Sequence, residues 1–161
     1  MKNEPGSSPR GAPLMCWDIF MDGYQKKIQL AEDICTLNKL SIKQKWQHSF
    51  DFETELFRSG NTILVTDPKQ HIIYASSSIF LMNGYLPGEI IGKRPFIFQG
   101  TNTCPQIKAS IRQSINDRSV FEQTIVNYCK NGAPYNCHIK GFPVFNHKKE
   151  LANFIAFETA I

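Results

Sequence analysis

The sequence predicts an α+β fold: a five-stranded antiparallel sheet with short helices on one face, preceded by an N-terminal helical extension. Three observations predict it. Residues 14–58 contain almost no turn residues and carry apolar side chains at helical spacing. At Ser59-Gly60 the texture changes to short β-rich runs stopped by turn pairs. After several short helical pieces, three longer alternating segments follow, joined by hairpin and polar-loop signals. Elements in that order pack as one antiparallel sheet with helices gathered on one face. The space between the two layers is a natural ligand cavity.

Each element has its own signal. Residues 1–13 hold three prolines, two glycines and two serines, and are predicted to be a disordered tail. Trp17, Phe20, Met21, Tyr24 and Ile28, then Ala31, Ile34, Leu37 and Leu40, recur mostly every third or fourth residue, which marks one helical face. Trp46, Phe50 and Leu56 form a second periodic piece, so the segment reads as two helices, or as one broken near Asn38 to Ser41. Ile63 to Thr66 is a strand stopped by Asp67-Pro68, and Ile72 to Tyr74 is its hairpin partner across Asp67 to His71. Ser77 to Met82 is a short helix ended by Asn83-Gly84. Pro87 to Ile91 is another, ended by Gly92. Ile107, Ile111 and Ile115, at i, i+4 and i+8, make Cys104 to Asn116 an amphipathic helix. Phe121 to Tyr128 alternates, and Asn131-Gly132 turns the chain into Pro134 to Phe145. Pro143 is tolerable there only at a bulge or an edge. Leu151 to Ala160 is the last strand, after the polar Asn146 to Glu150. The predicted organisation is a tail (1–13), a helical extension (14–58) that covers the sheet or dimerises, and the sheet domain (59–161).

Composition narrows the function classes. An apolar share of 42% and a charged share of 20% are ordinary for a water-soluble domain. The net charge of +4 is spread over scattered side chains, with no basic stripe or docking motif for nucleic acid. Five cysteines at irregular spacing make a poor disulfide framework and suit a reducing cytoplasm. The sequence shows no apolar run of signal-peptide or membrane-spanning length. The four histidines are dispersed, and Cys104, Cys129 and His138 lack metal-ligand spacing. No Ser/His/Asp set or Gly-rich phosphate motif points to an enzyme.

From Asn61 to Ala160 the runs "ILVTDPKQHIIYASSSIFLMNGYLPGEIIGKRPFIFQG", "VNYCKNGAPYNCHIKGFPVFN" and "NFIAFE" resemble the PAS domain. They are similar in particular to its LOV subgroup, the flavin-binding blue-light sensors. The hallmark of that subgroup is Gly-x-Asn-Cys-Arg-Phe-Leu-Gln-Gly, followed later by Asn-Tyr-x-Lys-x-Gly-x-x-Phe-Trp-Asn. The resemblance implies flavin mononucleotide as cofactor, with Gln99 at a polar contact to the ring, Arg112 at a phosphate-pairing arginine and Asn127 at the pyrimidine edge. Thr66 and Asn83 fall on segments that line the pocket in that family. Six positions depart from the pattern, among them Arg94, which replaces the asparagine before the reactive position, and Asn136, which replaces a tryptophan. Pro95 replaces the cysteine whose thiol adds to the excited flavin, and Phe96 replaces a second phosphate-binding arginine. Cys137 replaces the second asparagine, and Glu158 replaces the glutamine that relays the signal to the sheet. Ionised, Glu158 would repel the ring carbonyl it faces; neutral through desolvation, it would donate a proton instead. Aligned to that pattern without a gap from Asn127 to Pro143, Cys137 and not Asn136 faces inward; a turn one residue shorter would flip the two.

Each of these residues also has a purely structural role open to it. Asn127 can bridge strands, Gln99 can brace its loop, Arg112 can be a solvated charge, and Pro95 can stiffen a turn. The resemblance implies a sensory or regulatory module of LOV descent without adduct photochemistry, holding flavin mononucleotide or another small ligand. The alternative is a ligand-free scaffold for dimerisation or protein docking. A homodimer and a signalling protein are the expected partners, with no nucleic acid or membrane among them. A flavoenzyme is the weakest reading, because no substrate-handling constellation is visible.

Overall fold

The computed structural model describes residues 14–161, with side chains from residue 21 onward. The expected tail at 1–13 and the side chains of Trp17 and Phe20 lie outside the described residues. The chain runs as helix α1 (Leu14–Lys43), a short π turn (Thr54–Arg58), strands β1 (Thr62–Thr66) and β2 (Ile72–Ala75), helices α2 (Ile79–Asn83) and α3 (Pro87–Ile90), a 3₁₀ turn (Pro95–Phe98), helix α4 (Pro105–Asn116), and strands β3 (Phe121–Tyr128), β4 (Pro134–Phe145) and β5 (Leu151–Ala160). The five strands form one antiparallel sheet in the order β2-β1-β5-β4-β3. No helix among the described residues is long and apolar enough to cross a membrane.

Strand alternation divides the core in two. On one face Ile63, Val65, Val144, Ile155 and Phe157 pack against Leu37 of α1 and against Trp46, Phe52 and Leu56. On the other, Leu64, Ile72 and Ala75 pack under Ile79, Ile90 and Phe98 of the short helical elements. The short helices keep to one face, as expected, and the N-terminal segment closes the opposite one. Gly84 ends α2 with φ 80°, a left-handed cap that glycine adopts without a Cβ penalty.

Two readings of the N-terminal segment need correction. Helix α1 is continuous through Asn38 to Ser41, because no glycine or proline interrupts it there and Leu37 and Leu40 both reach the sheet. Trp46 and Phe50 are not on a second helix. Trp46 forms an isolated bridge with Asn146, and its indole Nε1 donates to Asn153 Oδ1 at 2.8 Å. Around it, Phe50, Phe52, Phe142 and Phe157 make mostly edge-to-face contacts with centroids 5.6 to 6.4 Å apart. The helical spacing of these aromatics is a by-product of a loop folding onto the sheet.

Asp33 ties α1 to the domain. Its carboxylate accepts from Tyr74 Oη at 2.6 Å, from Ser77 Oγ at 2.7 Å and from the Ser77 N–H at 2.9 Å. Burial first, and then this acceptor, push the Tyr74 phenol well above its ordinary range, so the proton stays on tyrosine. Pro143 also has a simple account. The β3 pairing ends at Gly141, so at Pro143 strand β4 has only β5 beside it and the missing N–H costs no ladder bond.

Candidate functional site

A cavity of about 310 Å³ lies between the sheet and the helical layer. Its floor is the inner face of the sheet: Leu64 and Thr66 of β1, Phe154, Ala156 and Glu158 of β5, Ile139 and Gly141 of β4, and Phe121, Ile125 and Asn127 of β3. Its roof comes from Pro95, Phe98 and Gln99 on one side and from Ile111 and Ile115 of α4 on the other. Ile111 and Ile115, two of the three isoleucines that identified α4 in the sequence, are therefore on the wall it turns inward. The Phe121 ring lies over its cross-strand partner Gly141 so closely that a Cβ there would collide with it. Glycine at this position is what lets an aromatic ring lie on the cavity floor.

The polar groups sit at two ends. Glu158 pairs with Thr62 at one end of β1, and Thr66 at the other end pairs with Phe154. Four residue steps along the strand separate them, about 13 Å. At the first end, Asn127 and Glu158 are both buried. Glu158 Oε2 accepts from the Cys137 thiol at 3.7 Å. Burial pushes the Glu158 carboxyl up to about 7, while the Cys137 contact works weakly the other way. Cys137 itself is pushed far upward, by burial first and then by Glu158 beside it, which rules it out as a thiolate nucleophile. At the second end, Thr66 Oγ1 and Gln70 Nε2 are buried without any hydrogen-bond partner. Such orphans cost about 1–3 kcal/mol each, and a ligand acceptor would relieve them.

Of the eight residues singled out from sequence, six line the cavity: Thr66, Pro95, Gln99, Arg112, Asn127 and Glu158. Two do not. Asn83 is buried outside it, where its side chain donates to Tyr135 Oη at 3.4 Å and accepts from the Tyr85 N–H at 3.2 Å, which shapes the end of α2. Cys137 is buried on the inner face as register required, with Asn136 exposed, but it stands behind Glu158 and does not reach the cavity. No cysteine is among the residues that line the cavity. Gln70, Lys108 and Phe121 line it without having been singled out, and so does Arg94, which the sequence marked only as a replaced asparagine. Lys108 was legible in principle, four residues before Arg112 on the same helical face. Gln70 was not, since it lies in a polar turn that says nothing about inward orientation.

The lining suits a flat, partly apolar ligand with hydrogen-bonding groups at both ends. The volume lies near the lower limit of small-molecule pockets, roughly 300–1,000 Å³. Among the described residues, no cluster of three or more His, Cys, Asp or Glu side chains could hold a metal ion.

A family model described as a PAS domain matches residues 60–159. Phototropin-1A of Oryza sativa subsp. japonica is 32% identical over 96 residues, which are 60% of this chain and 10% of that protein. The chain thus spans about a tenth of the length of that relative. Among solved structures, the PAS domain of the fruit-fly ELK potassium channel superposes with a TM-score of 0.62 at 21% identity, covering 71% of this chain and 98% of that one. The light state of the Aureochrome1 LOV photoreceptor gives 0.61 at 20% identity, covering 70% and 89%.

Proposed function

Because this chain belongs to the PAS domain family, we propose that it is a sensory or regulatory module whose state is set by a flat small ligand, with flavin mononucleotide as the ligand best suited to the cavity. The observation that carries this reading is the pairing of apolar walls with polar groups at both ends, two of them buried and unsatisfied. Bound flavin would supply blue absorption and redox chemistry. The chain's own residues would orient it. Asn127 and Glu158 would read one polar edge, Thr66 and Gln70 the other, and Gln99 the face under the roof. Pro95 offers no thiol to the ring, so signalling would rest on charge and hydrogen bonding and not on a bond to the protein.

Glu158 is the natural relay. It faces the cavity from β5 and pairs with Thr62 of β1. The outer face of these same two strands carries Ile63, Val65, Ile155 and Phe157, the floor under α1. A change in ligand charge that moved the Glu158 proton would act on strands that α1 rests upon. Output would then pass through α1, either by self-association or to a protein partner.

A ligand-free scaffold is the second reading, favoured by the small volume and by Asn83 and Cys137 standing outside the cavity lining. Incubation with flavin mononucleotide, gel filtration and an absorption spectrum separate the two. Co-eluting flavin with structured blue bands is expected. A bare protein spectrum would overturn flavin as the ligand and favour the scaffold reading.

A further inference from the structure

The chain between β1 and β2 departs from regular backbone at two places, and at both a polar side chain lines the cavity. The β1–β2 register shifts between Val65 and Thr66, a bulge of the kind that re-aims side chains. Further along the turn, Gln70 holds a φ of 68°, a left-handed conformation that residues other than glycine and asparagine adopt rarely. Thr66 is 5% exposed, and its hydroxyl and the Gln70 amide nitrogen are both buried without a partner. The acid between them does not serve them. The Asp67 carboxylate is engaged within its own turn, where it accepts from the N–H groups of Lys69 and His71 at 2.8 Å and lies 3.2 Å from His71 Nδ1. The Thr66 carbonyl is taken as well, by Asn153 Nδ2 at 3.0 Å. Phe154 stands opposite Thr66 on β5 and offers it no side-chain acceptor. A bulge and a left-handed residue that together bury two unpaired polar groups at one end of a cavity are explained by a partner from outside the chain.

We propose that Thr66 and Gln70 form a second recognition subsite, which takes an oxygen acceptor on the ligand at the end remote from Asn127 and Glu158. The proposal rests on the reading of this cavity as a ligand site and narrows the ligand's class within it. The amide nitrogen and the hydroxyl both donate, and one oxo or phenolate oxygen has lone pairs for the two of them. At the other end, the Asn127 amide and the protonated Glu158 carboxyl are donors too. The ligand is then a flat polycycle with oxygen at both ends. A plain isoalloxazine with its pyrimidine edge at Asn127 does not meet this condition. Its far edge carries two methyl groups and would seal both donors in without a partner. A flavin with a hydroxyl in place of the 8-methyl group meets it, and so does a quinonoid tricycle with terminal oxygens.

Measurements on the full chain test this. Absorption titration compares riboflavin with 8-demethyl-8-hydroxyriboflavin, neither of which carries a phosphate. The wild type is expected to bind the hydroxylated flavin about tenfold or more tightly, and Thr66→Val with Gln70→Leu to lose that preference. Equal affinity for the two flavins in the wild type would overturn the subsite and leave the flavin reading standing. If neither flavin binds, the flavin reading fails, and titration of nitrogen-15-labelled protein with 2,6-dihydroxyanthraquinone decides the subsite. Saturable shifts at the Thr66 and Gln70 amides, absent from the double variant, support it; linear shifts shared by both proteins, or none, overturn it. Melting of the ligand-free proteins is a second readout. The double variant replaces two unpaired buried groups with apolar ones of similar shape, so it is expected to melt above the wild type. A lower melting temperature would mean that both groups have partners in the empty chain, and would overturn the subsite.

Discussion

Pro95 puts a ring without a nucleophile on the cavity wall, and no cysteine lines that wall. Flavin-reconstituted protein should therefore show no bleaching under blue light that recovers thermally in the dark. An absorption time course checks this. A thiol placed at the same position changes the outcome, because bond formation needs only a nucleophile held close to the ring. Pro95→Cys is expected to bring reversible bleaching to a flavin-loaded sample, and its absence with flavin demonstrably bound would show that the wall holds position 95 away from the ring. Glu158 makes a second residue-scale prediction. Its carboxyl is raised from 4.5 to about 7 in the folded chain, chiefly by burial. An acid raised by folding leaves stability intact below its unfolded value and loses it as pH climbs to the folded value. Between about pH 4.5 and 7 the protein should lose on the order of 3 kcal/mol through this one group. Thermal melts from pH 5 to 8 should therefore fall, and Glu158→Gln should flatten the fall. An equally steep fall in the variant would assign the effect elsewhere.

Helix α1 is held by two different devices at neighbouring turns. Leu37 is fully buried against the sheet, and Asp33 collects three hydrogen bonds from Tyr74 and Ser77. Leu37→Ala should cost about 2–5 kcal/mol of global stability, read by denaturant unfolding. Asp33→Ala acts locally. It should release the C-terminal half of α1 before the sheet opens, so that amide exchange rises in α1 while β4 and β5 stay protected. Uniform loss of protection would mean that helix and sheet unfold as one unit. At this scale the strands were legible almost to the residue, since β3, β4 and β5 follow alternation and are bounded by Asn131-Gly132 and the polar 146–150 loop. The Trp46 to Phe52 loop was not legible. Its aromatics carry a helix-like spacing, and only contact with Phe142 and Phe157, far away in sequence, shows that a loop presents them.

At the scale of the whole molecule, the described N-terminal part of α1 carries apolar side chains that do not reach the sheet. Helix α1 spans 30 residues, about 45 Å at 1.5 Å per residue, and packs on the sheet from Leu30 onward. Before that, Tyr24 and Ile28 are 54% and 42% exposed on a helix that would be marginal alone. A homodimer burying this face in an isologous contact is the expected state. Light scattering across a concentration series should report twice the chain mass, and Tyr24→Lys with Ile28→Lys should shift it toward one chain. A single-chain mass for the wild type throughout would remove the dimer. By itself the sequence determined the order and type of the sheet elements and the absence of a thiol at Pro95, because alternation, turn chemistry and residue identity are local properties. It could not determine that Asn83 lies outside the cavity and Cys137 stops short of it, that Gln70 and Lys108 turn into it, or that Glu158 is buried. Those outcomes depend on strands and helices meeting across long sequence separations, where burial and the absence of a partner are set by neighbours that no local pattern encodes.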